Sequence, residues 1–166
     1  EIGHVQVAPE GPLCGCGRRG CLEAVASRLV IASRSAAAAY RGQAPYLLNE
    51  VGTDVSDIRS GAIAASIAAG DETVENIVRE AARHIGRAVA GVVHLLAPDV
   101  VVLGGGLVEA MTELFVTEVR EAAEKRVLPS YVGMFDVVAA ELGDDAGVMG
   151  AAGWAEYQIE TTVSAS

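Results

Sequence analysis

Three cysteines and one histidine near the start of the chain have the residue types and the spacing to bind a metal ion. Cys14, Cys16 and Cys21 lie in the segment Cys-Gly-Cys-Gly-Arg-Arg-Gly-Cys, and His4 lies ten residues before the first of them. Zinc prefers four tetrahedral ligands of thiolate and imidazole type, and a Cys₃His set with no open position is a structural site. The pattern therefore predicts a zinc (Zn²⁺) site formed by these four residues.

Disulfide pairing or free thiols are the alternative interpretations of the same cysteines. Three cysteines leave one unpaired. The sequence also shows no basic segment followed by an apolar one of the kind that directs secretion, which favours a reducing, cytoplasmic location. We therefore favour zinc. Gly15, Gly17 and Gly20 would let the backbone turn sharply enough for the sulfurs to converge on one ion.

Other titratable residues are weaker candidates for a metal site. His84 and His94 lie ten residues apart in a predicted helix, so they occupy different faces, and we expect neither to extend the zinc site. Asp144 and Asp145 follow Leu-Gly and precede a predicted helix. For this pair we favour a helix cap and first-turn role over a carboxylate metal site.

The overall composition is that of one soluble, core-forming domain. The chain has 166 residues, of which 51% are hydrophobic, and 12 basic against 22 acidic residues give a formal net charge of −10. This charge repels phosphate backbones and anionic membrane surfaces, so nucleic acid is not an expected partner. Residues 88–103 are the longest apolar stretch, but His94 and Pro98-Asp99 interrupt it, so no membrane span is predicted.

Candidate strands alternate with long helices, which predicts an α/β fold. Asp71 begins the clearest helix, with an apolar stripe to Leu96, acidic residues in its first turn and Pro98 at its end. The other predicted helices are Cys21–Tyr40, Asp57–Ala69, Leu107–Leu128 and Ala146–Tyr157, and residues 41–56 form a connection with a short helical piece. The predicted strands are Glu1–Val7, Asp99–Leu103, which we expect to be covered on both faces, and Phe135–Ala140. Residues 159–166 read as a frayed tail.

A glycine turn follows the valine-rich strand. Gly104, Gly105 and Gly106 stand between a strand and a helix, where phosphate or ribose can approach backbone N–H groups. The segment is not a P-loop, because no Gly-x-x-x-x-Gly-Lys-Ser/Thr occurs. A tight turn in an α/β unit is the alternative interpretation.

Taken together, these segments resemble the ROK family, which comprises sugar kinases, including bacterial glucokinases, and sugar-responsive repressors. Glu1-Ile-Gly-His4 resembles the family's Glu-x-Gly-His sugar motif, and residues 14–23 resemble its Cys-x-Cys-Gly-x-x-Gly-Cys-x-Glu zinc signature. Residues 98–106 are similar to its nucleotide-side turn, and residues 142–152 resemble the start of its C-terminal helix.

The resemblance implies a role for each group of candidate residues. The implied zinc ligands are His4, Cys14, Cys16 and Cys21. The implied sugar-binding residues are Glu1, His4 and Glu23. The implied nucleotide-binding residues are Gly104, Gly105 and Gly106, on the side where ATP would bind with Mg²⁺ neutralising its phosphates. A frayed terminus for Glu1 and a first-turn helix charge for Glu23 remain the alternatives.

The resemblance also implies an actin-like (ribonuclease H-like) fold with two lobes, of which this chain is the C-terminal one. It would carry a zinc loop at about residues 8–21 and a nucleotide-side α/β part at about residues 71–157. The N-terminal lobe, with the phosphate loop and the catalytic aspartate, is absent, so we expect a fragment that is inactive alone and name no catalytic residue in it. The implied whole protein is a homo-oligomeric, ATP-dependent hexose kinase, or alternatively a repressor that senses sugar.

Overall fold

The computed structural model describes residues 1–164, and it has the predicted α/β architecture. Before the first sheet strand lie α1 (Leu22–Ala26), α2 (Arg28–Tyr40), α3 (Pro45–Glu50), α4 (Ser60–Ala68) and α5 (Glu72–Leu96). The remaining elements are β1 (Val100–Leu103), α6 (Gly106–Ala110), α7 (Thr112–Glu124), β2 (Asp136–Ala139) and α8 (Ala146–Ser164). Residues 41–56 contain the predicted short helical piece, which is α3.

Helix α5 is the centre of the fold, as its amphipathic pattern predicts. Its buried side chains run from Val74 to Val93 and pack against α1, α2 and α7. The packing against α7 is close at Gly86, where an added Cβ would lie 2.6 Å from the Val119 carbonyl oxygen. The helix ends at Leu96, and Ala97 adopts a left-handed conformation, with φ at 44°, directly before Pro98.

Asp71 has a different role from the one predicted for it. Its carboxylate is buried and reaches across to α3 instead of serving the first turn of α5. It accepts hydrogen bonds from the backbone N–H groups of Tyr46 (3.3 Å) and Leu47 (2.9 Å) and from the hydroxyl of Ser66 (2.7 Å). Because Ala44, the residue before α3, has no side chain that can cap the helix, Asp71 supplies the cap from a distant part of the chain.

Two predicted helices are each interrupted by one residue with a non-helical backbone conformation. The helix predicted for residues 21–40 is interrupted at Ser27, whose hydroxyl accepts from the backbone N–H of Val30 at 3.4 Å and thereby caps α2. The helix predicted for residues 107–128 is interrupted at Met111, where φ is −144°, and ends at Glu124. Apolar periodicity continues across both breaks, so the sequence pattern did not reveal them.

The first strand prediction is wrong. Ile2–His4 form a 3-10 turn, and the segment makes only an isolated antiparallel bridge between Gln6 and Cys21. The other two predicted strands are present as β1 and β2, which pair in parallel with Val100 opposite Asp136 and Leu103 opposite Ala139.

Strand β1 is not covered on both faces, contrary to the prediction. Val100 and Val102 are 49% and 61% exposed, whereas Val101 and Leu103 are partly buried. A continuous valine run is typical of a strand that is covered on both faces. Among residues 1–164, however, the sheet has two strands and is packed on one side.

The last helix is longer than predicted. Residues 143–145 form a 3-10 turn, and α8 then runs from Ala146 to Ser164, so most of the predicted frayed tail is helical. The first-turn role predicted for Asp145 is wrong, because Asp145 lies in the 3-10 turn that precedes α8. Residues 165 and 166 lie outside the described part. No helix within residues 1–164 combines the length and the apolarity that crossing a bilayer requires.

Candidate metal centre

The metal loop, residues 8–21, closes on itself at its base. The backbone N–H groups of Val7 and Ala8 both donate to the carbonyl of Gly20, at 2.8 and 3.1 Å, and the N–H of Leu22 donates to the carbonyl of Val5 at 2.9 Å. A second bridge pairs Leu13 with Arg19 inside the loop. This small hairpin brings the first and last cysteines to the side on which the 3-10 turn carries His4.

Two of the three glycines that lie between the cysteines are required by the backbone. Gly17 has φ at 85°, and Gly20 has φ at 68°. At Gly20 an added Cβ would lie 1.5 Å from the carbonyl oxygen of Ala8, so no other residue fits there without moving the loop. Gly15 has no close neighbour at its Cβ position and no positive φ, so its predicted role in the turn is not required by this geometry.

The four predicted metal ligands meet at one point. One ligand atom from each of His4, Cys14, Cys16 and Cys21 lies within 4.8 Å of the others. Cys14 Sγ is 3.7 Å from His4 Nδ1, and Cys16 Sγ is 3.6 Å from Cys21 Sγ. A tetrahedral zinc with Zn–S bonds of about 2.3 Å separates neighbouring sulfurs by about 3.8 Å, so these spacings fit zinc. No disulfide joins any of these three cysteines.

The thiols differ in how readily they ionise. A hydrogen bond from the backbone N–H of Arg18 lowers the pKa of Cys16. Burial raises the pKa of Cys21 to about 11. Because zinc binds the thiolate, filling such a site would release protons and would become weaker as the pH falls.

The predicted sugar-binding carboxylates flank the metal cluster. While Nδ1 of His4 faces Cys14, its Nε2 lies 3.7 Å from a carboxylate oxygen of Glu1. Glu23, in the first turn of α1, lies over the 3-10 turn, where an added Cβ on Gly3 would be 3.4 Å from its carboxylate. Glu1, His4 and Glu23 are all exposed, so they can contact a solute, whereas Cys14 and Cys21 are buried and hold the frame. A metal-bound histidine that faces a carboxylate through its other nitrogen is a common way to fix the ring.

The predicted nucleotide-side glycines lie in another part of the structure. They follow the carboxyl end of β1, and Gly105, with φ at 105°, precedes the five-residue α6. Gly106 packs against α4, where an added Cβ would be 3.3 Å from the hydroxyl of Ser60. Gly105 has open space at its Cβ position, so a ligand could approach the backbone of this turn.

The other two histidines do not join the metal cluster, as predicted. His94 Nε2 accepts from the backbone N–H of Leu128 at 3.1 Å, and His84 is buried beside Arg87. Sequence reasoning missed Arg87, whose Nη1 lies 3.5 Å from the Val7 carbonyl at the base of the metal loop. In the sequence, the one feature that points to this contact is the spacing of His84 and Arg87, which lie one helical turn apart on α5.

Comparison with known proteins identifies the family of the chain. The model of the ROK family matches residues 1–158 of the chain. The chain belongs to the ROK family. Among curated ROK relatives, the glucokinase of Thermotoga maritima is 38% identical over 152 residues, which cover 92% of this chain and 47% of that protein.

Solved ROK structures share the fold. A glucokinase from Streptomyces griseus in complex with glucose and AMPPNP is 32% identical with a TM-score of 0.77, over 93% of this chain and 50% of that one. A ROK transcriptional regulator, a homologue of the E. coli MLC protein, is 29% identical with a TM-score of 0.70, over 84% of this chain and 34% of that one. The chain thus spans about half the length of the ROK kinases that it matches.

Proposed function

We propose that this chain is the C-terminal lobe of an ATP-dependent ROK sugar kinase that transfers the γ-phosphoryl group to a hydroxyl of a glucose-like hexose. The observation that carries this proposal is the position of His4, which faces the cysteine cluster through Nδ1 and the exposed carboxylate of Glu1 through Nε2. The same chain aligns with a glucokinase whose structure contains glucose and AMPPNP.

In this proposal the sugar hydroxyls are held by Glu1, His4 and Glu23. Carboxylates accept hydrogen bonds from hydroxyl groups, and an imidazole N–H can donate one, so the three side chains supply the directional contacts that a polyhydroxy substrate needs. The metal fixes His4, and the backbone hydrogen bond from Leu22 to Val5 ties α1, which carries Glu23, to the same frame. Such a fixed frame positions the hydroxyl and saves the entropy of ordering it at each turnover.

The nucleotide is proposed to bind at Gly104–Gly106. Support comes from the open turn at Gly105 at the carboxyl end of a parallel strand, where ligands of α/β sheets commonly bind. Bound ATP would supply the phosphoryl group. Because the chain itself carries a net charge of −10, Mg²⁺ would be needed to neutralise the phosphates of ATP. We propose that the phosphate loop and the aspartate that accepts the hydroxyl proton come from the N-terminal lobe, so that this lobe alone does not turn over.

A sugar-sensing repressor is the second candidate function. It is favoured by the similarity to the ROK transcriptional regulator, which matches 84% of the chain. The region of the gene upstream of Glu1 distinguishes the two candidates. A glycine-rich phosphate loop and a catalytic aspartate there support the kinase, and a basic helix-turn-helix supports the repressor.

The homo-oligomer implied by the sequence stays a prediction. Helix α8 exposes several large apolar side chains. Monomeric proteins rarely leave a large apolar patch exposed to solvent. These side chains are those of Val148, Met149, Trp154, Tyr157 and Ile159. Sedimentation of the full-length protein tests this prediction, since a monomer at micromolar concentration would contradict it.

The experiment that tests the proposed function is Glu1→Gln in the full-length protein. Loss of one charge-assisted hydrogen bond costs about 1.5–3 kcal/mol, which is roughly a ten- to hundredfold loss in kcat/KM for the sugar. The KM for ATP should stay nearly constant. Steady-state rates with glucose, mannose, N-acetylglucosamine and N-acetylmannosamine also identify the preferred sugar.

Glu50→Gln is the matched control, because Glu50 is an exposed glutamate at the end of α3, away from the metal loop. It should leave both substrates unaffected. A Glu1→Gln enzyme that uses every sugar normally but has a raised KM for ATP would overturn the assignment.

A further inference from the structure

The side chain of Arg87 connects the central helix to the metal loop. Its Nη1 lies 3.5 Å from the carbonyl oxygen of Val7 and 3.2 Å from Nδ1 of His84. Val7 is at the base of the loop, where its own N–H is already bound to Gly20. The Val7 carbonyl is therefore the point at which α5 can fix the loop by a polar contact.

His84 holds the guanidinium in place. Arginine can only donate, so Nδ1 of His84 accepts and its proton is on Nε2, which lies 3.8 Å from Glu80. Glu80 in turn accepts from Arg34 of α2 at 2.7 Å. Only 8% of His84 is exposed, and it lies against loop residues 8–12 at the floor of a groove of about 490 Å³. These contacts link α2, α5 and the metal loop in one chain of side chains.

The rest of the loop has few other attachments to the helical core. Among residues 8–20 only Cys14 and Gly20 are buried, and α1, which follows the loop directly, packs against α5. Without Arg87 the loop would keep this link through α1 and its contact with His84, but it would lose its hydrogen bond to α5. The residues that carry His4 precede Val7 directly, so a loop that tilts on α1 would move His4 with respect to the cysteines.

We propose that Arg87, oriented by His84, is a positioning residue that fixes the base of the metal loop and thereby aligns His4 for the metal and for the sugar. It does not touch either of them and acts through the carbonyl of Val7. The part of this proposal that concerns the sugar rests on the proposed function, whereas the part that concerns the metal loop does not.

The test compares Arg87→Met with Arg83→Met in the full-length, zinc-loaded protein. Methionine keeps much of the side-chain length but cannot donate. Arg83 lies one turn earlier on α5 and pairs with Glu118 of α7 at 3.3 Å, so it is a matched control that does not reach the loop. The readout is the rate at which zinc passes to a chromogenic chelator, together with the melting temperature and the KM and kcat for the sugar.

We expect Arg87→Met to release zinc about tenfold faster, as loss of one hydrogen bond to a charged group predicts, and to raise the sugar KM more than it lowers kcat. Arg83→Met should release zinc at the wild-type rate. Arg87→Lys, which keeps a cationic donor, should fall between wild type and Arg87→Met. A folded Arg87→Met protein with wild-type zinc release would overturn the proposal, as would equal effects of the two methionine variants.

The two proposals fail separately. If Arg87→Met releases zinc faster while Glu1→Gln spares every sugar, the positioning role stands and the kinase assignment falls. If Glu1→Gln abolishes sugar use while Arg87→Met behaves as wild type in zinc release and KM, the positioning role falls and the kinase assignment stands.

Discussion

The helical core and the metal loop reach a fixed structure by different routes. Helix α5 buries a continuous stripe from Val74 to Val93 against α1, α2, α4 and α7. The metal loop buries almost no apolar side chain, and its leucine, Leu13, is 65% exposed. Apolar burial contributes about 25 cal/mol per Å², so packing can stabilise the core but not the loop. The residues proposed to bind sugar therefore depend on four ligands and a few hydrogen bonds for their positions.

The largest expected effect is the loss of a metal ligand. Cys16→Ala in the full-length protein should lose stoichiometric zinc, because structural zinc contributes about 10–16 kcal/mol of binding free energy in small zinc domains and needs all four ligands. The core should stay folded, so the loss of zinc and of sugar use should exceed the change in helical content. Metal analysis and far-UV circular dichroism measure the two.

Gly15→Ala is the matched control for the loop, since Gly15 is exposed and has open space at its Cβ position. It should retain zinc. If Cys16→Ala retained one zinc per chain with unchanged thermal stability, the loop would not depend on the metal and the comparison would fail.

The core should respond most strongly at Asp71. Asp71→Ala leaves two backbone N–H groups and the Ser66 hydroxyl without their acceptor in a buried site, which should cost about 3 kcal/mol of the free energy of unfolding. Zinc content should not change. Urea unfolding measures the loss. Asp54→Ala is the control, because Asp54 is exposed and its carboxylate accepts from the backbone N–H and the hydroxyl of nearby Ser56, so it should cost less than about 1 kcal/mol.

A smaller change in stability is expected from alanine substitutions at two glycines of α5, and it should have opposite signs at the two positions. Gly86→Ala places a methyl group 2.6 Å from the Val119 carbonyl and should destabilise the protein by about 1–3 kcal/mol. Gly91→Ala meets open space and should stabilise it by up to about 1 kcal/mol, since alanine favours the helix. Melting temperatures that moved in the same direction for both variants would contradict the close contact between α5 and α7.

The smallest expected effect is a pH dependence of stability that arises from His84, at the contact between the helical core and the metal loop. Burial and the neighbouring Arg87 lower the pKa of His84, although Glu80 opposes the shift, and Arg34 and Glu10 are the other charges around it. As the pH falls, His84 is therefore protonated at a higher pH in the unfolded chain than in the folded protein. Stability should fall as the pH drops below about 6.5 and should level off below the folded pKa. His84→Gln should flatten this part of the stability profile, and an unchanged profile would contradict the shift.

Sequence reasoning found what local spacing encodes. The cysteine and histidine spacing predicted which four residues the structure brings together, and the apolar period of α5 predicted the central helix. It missed what depends on distant partners. The Asp71 carboxylate caps a helix 24 residues earlier in the chain, and Arg87 reaches a carbonyl 80 residues away. Nothing in the period of α5 distinguishes either residue from an exposed charge.

The breaks at Ser27 and Met111 and the absence of the first strand have a related cause. Hydrophobic periodicity continues through a short interruption, and a strand needs a partner that the local sequence does not name. The segment Ile2–His4 is instead held by the backbone bonds of a 3-10 turn and by the pairing of Val5 and Val7 with the far end of the metal loop.

The most direct test of the account is zinc K-edge X-ray absorption on the full-length protein, purified without chelators. We predict one zinc per chain with three sulfur neighbours at about 2.3 Å and one nitrogen at about 2.0 Å. In the His4→Ala protein the nitrogen contribution should be lost or replaced by solvent oxygen while the sulfurs remain. A protein without stoichiometric zinc, or a spectrum of oxygen and nitrogen ligands without sulfur, would contradict a metal-held loop.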